Sequence, residues 1–179
     1  MRQNGYRTAL GGILSALSVA IMLLGSLFPF ATYAVPAISS FAILYFCMEF
    51  SKKHALLVLV VISILALTLV PDKETAFIFS FIFGPYPILK AIFESLKSDI
   101  LCWALKIVSF NIEVLFTYFL LLRLVVSSAL AAEFSSYSTL MLISIILLGN
   151  VTFIIFDIAL TRVIRMYITK IRPRLTKKR

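Results

Sequence analysis

The chain contains 179 residues, of which 61% are apolar and only 14% are charged, and its formal net charge is +9. A soluble domain is nearer half apolar, so this composition, with a mean hydropathy of +1.05, excludes a water-soluble globule. A bilayer core ~30 Å thick requires ~20 apolar residues per helix, so the chain can cross about six times only if its loops are short.

Six hydrophobic runs follow one another along the chain. They cover residues 8–28, 31–50, 55–70, 77–93, 100–126 and 139–164. The first run exceeds the apolar core of a signal peptide, so we expect a retained helix. The third and fourth runs are short for a full crossing. The sequence therefore predicts an all-α, polytopic membrane protein with about six transmembrane helices, organised as one domain over 1–164 and a basic tail over 165–179.

Basic residues are distributed unequally between the two sides of this arrangement. With a cytoplasmic N-terminus, the outer loops are 29–30, 71–76 and 127–138, and Lys73 is their only basic residue. The inner loops and termini contain Arg2, Arg7, Lys52, Lys53, Lys97 and the tail from Arg162. The positive-inside rule then places both termini in the cytoplasm. We interpret the tail as a topology anchor that attracts membrane lipid. Nucleic-acid binding is disfavoured, because no aromatic residue interleaves the charges after Tyr167.

Several ionisable residues fall inside the hydrophobic runs. Such groups are costly in a bilayer and usually face the bundle interior or a water-filled cavity. Glu94, Lys106 and Asp157 lie nearest the predicted cytoplasmic end, and for them we favour charge pairs between helices. Glu113 lies closer to mid-membrane, and for this residue a structural pair and a functional role remain equally open.

The most unusual local sequence is the segment 84–90, which reads Gly-Pro-Tyr-Pro-Ile-Leu-Lys. Proline lacks the amide hydrogen that a continuing helix needs, so Pro85 and Pro87 beside Gly84 predict an interrupted fourth helix. Irregular backbone at membrane depth is tolerated where it is buried in protein or lines a cavity. In transporters, interrupted helices often mark the binding site. A plain kink inside the bundle and a binding cavity both remain open.

Residues that carry catalysis or hold metals form no recognisable motif. Cys47 and Cys102 lie in hydrophobic runs without a CxxC motif or a Cys/His cluster, so we expect no metal site, cofactor or disulfide. No Walker motif, GxSxG or HExxH occurs, so we expect no enzymatic activity. A membrane-embedded enzyme that uses Glu113 or Asp157 is the weakest alternative, because neither has an evident catalytic partner.

Small residues form a stripe on the first run. Gly12, Ala16 and Ala20 recur every four residues, a spacing that lets another helix approach closely. The partner helix belongs either to the same bundle or to another protein.

With this stripe, six short-looped helices and a cytoplasmic N-terminus, the chain resembles the substrate-binding S components of energy-coupling-factor (ECF) transporters. It is also similar to a group of small bacterial membrane proteins through residues 84–90 and 148–162. The resemblance implies a multi-pass subunit of the bacterial cytoplasmic membrane that binds a vitamin or similar micronutrient. Its implied partners are a transmembrane coupling subunit and cytoplasmic ATPases that supply the energy.

The resemblance also implies roles for individual residues. In that family an alanine-rich AxxxA pattern on the first helix meets the coupling subunit, which implies partner binding by Gly12, Ala16 and Ala20. The family's pocket opens outward, and the positions that would fall there are Phe30, Tyr33, Tyr86, Tyr118, Arg123, Tyr137 and Asn150. Glu113 joins this candidate substrate site because of its depth in the membrane. The alternative is a membrane scaffold of bacterial envelope or cell-shape machinery, whose stripe and basic tail would contact protein partners.

Overall fold

The computed structural model describes residues 2–28, 31–124 and 139–173. These ranges are helical apart from short turns, and they contain no β-strand. The chain divides into two units, Met1–Ala132 and Glu133–Arg179, which are described separately. The predicted all-α class is therefore confirmed for the described part of the chain.

The described residues of the first unit form seven α-helices and one π-helical segment. The α-helices are α1 Arg2–Gly25, α2 Ala34–Ser39, α3 Phe41–Glu49, α4 Lys52–Leu69, α5 Lys73–Ile78, α6 Tyr86–Phe93 and α7 Asp99–Leu124. The π-helical segment Phe79–Phe83 joins α5 to α6. In the second unit, α8 Thr139–Met166 is followed by the π-helical segment Tyr167–Ile171. Helical structure thus extends beyond the sixth hydrophobic run and into the basic tail.

Five stretches of the described residues are long and apolar enough to span a bilayer. They are Gly5–Gly25, Lys52–Leu69, Lys73–Phe93, Asp99–Leu124 and Ile143–Lys170. The chain is therefore a multi-pass membrane protein. The remaining apolar helix, Ala34–Glu49, is shorter. At 1.5 Å per residue it reaches only about 24 Å, less than the ~30 Å hydrocarbon core.

The prediction that the third and fourth hydrophobic runs are short for a full crossing is wrong, because the helical stretches that contain them, Lys52–Leu69 and Lys73–Phe93, are long enough to span a bilayer, whereas the second is shorter. The helices α4 and α5 each begin with a turn of charged and polar residues, and this turn precedes the hydrophobic run of the sequence. Ser51 caps α4 by accepting the His54 amide hydrogen, and Asp72 caps α5 by accepting that of Glu74. Polar caps of this kind satisfy the first amide groups of a helix, so each helix gains about one turn before its apolar part.

Consecutive long segments of the first unit run antiparallel. Along α1, Gly11 lies against Phe46 of α3, while Gly25 lies against Val35 of α2. Between these positions Ser18 and Ser39 exchange hydrogen bonds, each hydroxyl donating to the carbonyl oxygen of the other residue at 3.4 and 3.2 Å. Two buried hydroxyls are thereby satisfied across one helix pair, as burial requires.

The antiparallel order continues through α4, the composite helix 73–93 (α5, the π-helical segment and α6) and α7. Lys52 at the start of α4 donates to the carbonyl oxygen of Ala91 at 3.1 Å. On α7, Lys106 contacts Glu94 at 2.9 Å, whereas Tyr118 contacts Glu74 at 3.4 Å. The first unit therefore has two distinct ends. We call the group Lys52, Lys90, Glu94 and Lys106 the lysine end, and the group Tyr33, Glu74 and Tyr118 the tyrosine end.

The composite helix Lys73–Phe93 lies at the centre of the first unit. Inside its hydrophobic window 61% of the residues are buried, compared with 22–28% for the other spans of this unit. Ile78 and Phe79 are completely buried, as are Ile62 and Ala66 of the neighbouring α4. The composite helix is therefore packed between α4 and α7, and it contributes residues to both the lysine end and the tyrosine end.

The interruption predicted at residues 84–90 is present, and it is tightly packed. The Gly84 amide donates to the carbonyl oxygen of Phe79 at 2.8 Å, closing the π-helical turn. A Cβ atom at Gly84 would lie 2.6 Å from Leu59 Cδ1 and 2.7 Å from the Phe79 carbonyl oxygen, so only glycine fits. Pro85 then caps α6 and Pro87 lies in its first turn, where no amide hydrogen is needed.

Candidate functional site

Three polar side chains from separate elements converge at the tyrosine end. The hydroxyl oxygens of Tyr33 and Tyr118 are 2.9 Å apart, and each hydroxyl lies within hydrogen-bonding distance of Glu74 Oε1, at 3.3 and 3.4 Å. Tyr33 precedes α2, Glu74 lies in the first turn of α5, and Tyr118 lies on α7. The cluster therefore depends on the packing of three helices.

Residues flanking Glu74 leave its carboxylate free to face the tyrosines. Asp72 is occupied as the helix cap, accepting the Glu74 amide hydrogen at 3.1 Å. Lys73 is directed the other way, donating to the carbonyl oxygens of Leu67 and Val70 at 2.9 and 3.0 Å. A lysine at those carbonyls complements the negative end of α4. Within the described residues, no cation pairs with Glu74.

The ionisation of the tyrosine end follows from its surroundings. Partial burial raises the pKa of the Tyr33 phenol above its ordinary value, and the nearby negative charge of Glu74 raises it further, while the hydrogen bond to Tyr118 opposes both. A tyrosine with a raised pKa stays neutral at physiological pH. The cluster therefore brings together a neutral phenol, aromatic ring surface and the carboxyl group of Glu74.

The structure places the residues of the predicted substrate site in different locations. Tyr33 and Tyr118 come together at the tyrosine end. Tyr86 is only 1% exposed and is buried in the interior, so it does not join them. Arg123 is exposed, with its guanidinium 5.6 Å from the centre of the Phe119 ring.

Three more of the predicted site residues lie outside the described residues or in the second unit. Phe30 and Tyr137 lie outside the described residues. Asn150 belongs to the second unit, where its amide donates to the Ile146 carbonyl oxygen at 2.9 Å. Glu74 was missed by the sequence-based reasoning, although its position in an outer loop with a single basic residue was an available signal.

Glu113 occupies the buried stripe of α7. It lies three residues after Phe110 and four before Thr117, both of which are buried, and the Thr117 hydroxyl donates to its backbone carbonyl oxygen at 2.6 Å. Its Oε2 atom is buried and has no hydrogen-bond partner within the described part of the chain. A charge pair for Glu113 is therefore not observed there.

The lysine end is a charge-paired contact between α6 and α7. Glu94 Oε1 lies 2.7 Å from Lys90 Nζ and 2.9 Å from Lys106 Nζ, and both lysines are almost completely buried. Partial burial acts to raise the pKa of Glu94, but the two ammonium groups outweigh it and lower the pKa below its usual value. These contacts confirm the predicted charge pairing of Glu94 and Lys106.

The small-residue stripe lies on the exposed face of α1. Gly12, Ala16 and Ala20 are exposed, and a Cβ atom at Gly12 would meet no neighbouring atom within 4 Å. The packed face of α1 is instead formed by Ser15, Ser18, Val19 and Met22. The face of α1 that packs inside the first unit is thus the one with the serine hydroxyls, and the small-residue stripe is exposed.

Metal-binding chemistry is not evident in the described ranges, where no group of three or more His, Cys, Asp or Glu side chains could hold an ion. Cys47 and Cys102 are free thiols.

Among known proteins, no family model, no curated protein and no solved structure matches this chain. Its function must therefore be inferred from its own residues and contacts.

Proposed function

We propose that this chain is the substrate-binding subunit of an ECF-type uptake transporter in a bacterial cytoplasmic membrane, and that it binds a small micronutrient at the tyrosine end. The observation that carries this proposal is the convergence of Tyr33, Glu74 and Tyr118 from three elements. A few convergent polar groups beside aromatic surface are typical of small-molecule sites.

The proposed topology has six crossings, with Ala34–Glu49 as a short second crossing and both termini in the cytoplasm. The lysine end then faces inward and the tyrosine end outward. This orientation is supported by the positive-inside rule, since Arg7, Lys52 and Lys53 precede outward-running helices. An outward-facing binding cluster suits an uptake protein, because the solute arrives from that side.

The chemistry of the cluster favours a solute with a positively charged or hydrogen-bond-donating group. Glu74 supplies an acceptor without a paired cation among the described residues. The Tyr33 and Tyr118 rings supply surfaces that attract a cation by ~0.5–1 kcal/mol at exposed sites. Phe30, Arg123 and Tyr137 remain proposed site residues on the resemblance alone.

Energy coupling would come from partner proteins, and this chain itself hydrolyses nothing. The stripe Gly12, Ala16 and Ala20 is the proposed contact for a transmembrane coupling subunit, which in turn holds the cytoplasmic ATPases. Its exposure supports this role, because small residues allow a partner helix to approach closely.

The proposal is tested by purifying the full chain and identifying retained solutes by mass spectrometry. Glu74→Gln and Tyr118→Phe should each weaken retention at least about tenfold, which corresponds to ~1.4 kcal/mol. Tyr6→Phe is the matched control, since Tyr6 is exposed on α1, and should leave retention unchanged. Equal loss in all three variants, or no retained solute in any condition, would refute the binding site.

A second candidate, the envelope or cell-shape scaffold, is supported by the same exposed stripe. Crosslinking from Ala16 and from the basic tail in cells distinguishes the two. Capture of a coupling subunit and ATPases supports the transporter. Capture of cell-wall proteins, together with the absence of a retained solute, supports the scaffold instead.

A further inference from the structure

A concave surface lies between α1 and the segment 34–49, and none of its lining residues belongs to the tyrosine cluster. It encloses about 350 Å³, and its walls are mainly apolar, including Leu10, Leu14, Ile21 and Phe41. Leu17 and Ile38 also line it and are about half exposed. The surface is therefore a groove that opens sideways, toward the position of the lipid hydrocarbon.

The polar groups in this groove are already satisfied. Ser18 and Ser39 lie in its wall, and each hydroxyl donates to the other residue's carbonyl oxygen. The groove therefore offers its occupant apolar contact and no free hydrogen-bonding group from these serines. A polar solute would lose its hydration there without compensation, whereas an acyl chain would not.

A basic residue lies at one end of the groove and on the same helical face. Arg7 precedes Leu10, Leu14, Leu17 and Ile21 at successive spacings of three, four, three and four residues, which places all five on one side of α1. Its guanidinium rests 5.4 Å from the centre of the Phe50 ring. Stacking on a ring leaves the N–H groups at the guanidinium edge available, and these bind phosphate well.

The charge of Arg7 has no acidic partner in the part of the chain that the structure describes. An unpaired cation at the edge of an apolar groove is complementary to a ligand with an anionic head and an apolar tail.

The length of the groove fits one lipid leaflet. From Leu10 to Ile21 the helix rises about 16 Å at 1.5 Å per residue. Half of a ~30 Å hydrocarbon core is about 15 Å. A chain that extends from Arg7 along the groove would therefore end near the middle of the membrane, as an acyl chain of one leaflet does.

We infer that this groove is a binding site for an anionic phospholipid, with an acyl chain between α1 and the segment 34–49 and the phosphate on Arg7. The site is separate from the tyrosine end and does not depend on the function proposed for it. The bound lipid would fill the concave surface where the short second segment leaves the first unit incompletely packed.

The test reconstitutes the full chain in nanodiscs that contain equal amounts of phosphatidylglycerol and phosphatidylcholine with identical acyl chains. After extraction into mild detergent, native mass spectrometry counts the lipids that stay bound. The wild type should retain phosphatidylglycerol about fivefold over phosphatidylcholine, from ~1 kcal/mol per basic residue. Equal retention of the two lipids by the wild type overturns the proposal without any variant.

Two pairs of variants locate the site. Arg7→Gln should lower the preference for phosphatidylglycerol about fivefold relative to the wild type, whereas Arg7→Lys should keep it. Leu17→Trp should fill the groove and reduce the retention of both lipids, whereas Leu24→Trp, on an exposed position outside the groove, should not. An unchanged preference in Arg7→Gln, or equal retention in the two tryptophan variants, overturns the assignment.

Discussion

Replacing Gly84 by alanine tests whether the π-helical turn is held by close packing. The added Cβ would lie 2.6 Å from Leu59 Cδ1 and 2.7 Å from the Phe79 carbonyl oxygen, whereas carbon atoms in good contact are ~3.5–4.0 Å apart. Leu59 is buried, and the Phe79 carbonyl is fixed by its hydrogen bond to the Gly84 amide. One of these groups must therefore move by nearly 1 Å.

The expected loss of stability follows from two opposing effects. Overpacking a well-filled core costs about 1–3 kcal/mol, while alanine in a helix is favoured over glycine by about 0.5–1 kcal/mol. We therefore expect Gly84→Ala to lower the free energy of unfolding by about 1–2 kcal/mol. Gly12→Ala is the matched control, because nothing lies within 4 Å of its added atom, and it should be neutral or stabilising.

The assay is unfolding in mixed micelles as the fraction of denaturing detergent rises. The chain has a single tryptophan, Trp103 on α7, whose fluorescence reports the transition. A combined Gly84→Ala and Leu59→Ala variant should lose less stability than the sum of the two single variants, because one clash is removed. If Gly84→Ala is at least as stable as Gly12→Ala, the close-packing explanation is refuted.

Three further changes test the polar contacts. Glu94→Gln leaves two buried lysines without their carboxylate, and because Glu94 is partly exposed we expect a loss of about 1–2 kcal/mol. Since the fold lowers the pKa of Glu94, its contribution is present above its unfolded value of ~4.3 and declines as the pH falls further. This acid sensitivity should be reduced in Glu94→Gln, as measured by unfolding at several pH values. Glu113→Gln should express and fold like the wild type, because no partner to the buried Oε2 is lost in the described residues; failure to express would indicate a structural pair. Ser39→Ala should cost about 0.6–1.7 kcal/mol by removing the hydrogen bond that the Ser39 hydroxyl donates to the Ser18 carbonyl oxygen, and equal stability of the variant and the wild type in the same unfolding assay would contradict that contact.

Local sequence patterns predicted much of the fold. Long apolar runs indicated the membrane and the helices, because an open backbone satisfies its hydrogen bonds in lipid only as a helix. Pro85, Pro87 and Gly84 indicated where the fourth helix is interrupted. The length of the second segment could not be predicted in the same way, because its run 31–50 also includes residues 31–33 and Phe50, which lie outside the α-helices.

The candidate site could be predicted only in part. Tyr33 and Tyr118 were selected from the sequence, yet their contact joins residues 85 positions apart. Glu74 completes the cluster across separations of 41 and 44 positions. The residue periodicity of a single helix does not predict these contacts, because they depend on the lengths of three helical segments and on how those segments pack together.

The face of α1 that packs was likewise decided only by the tertiary structure. Spacing identified the stripe Gly12, Ala16 and Ala20, but the first unit buries Ser15 and Ser18 and leaves the stripe exposed. In a membrane, both the lipid-facing and the protein-facing sides of a helix are apolar, so hydropathy does not separate them. The sequence by itself determined that this chain enters the membrane and where its charged residues lie along the chain. Which side chains meet inside the membrane was decided by packing between helices.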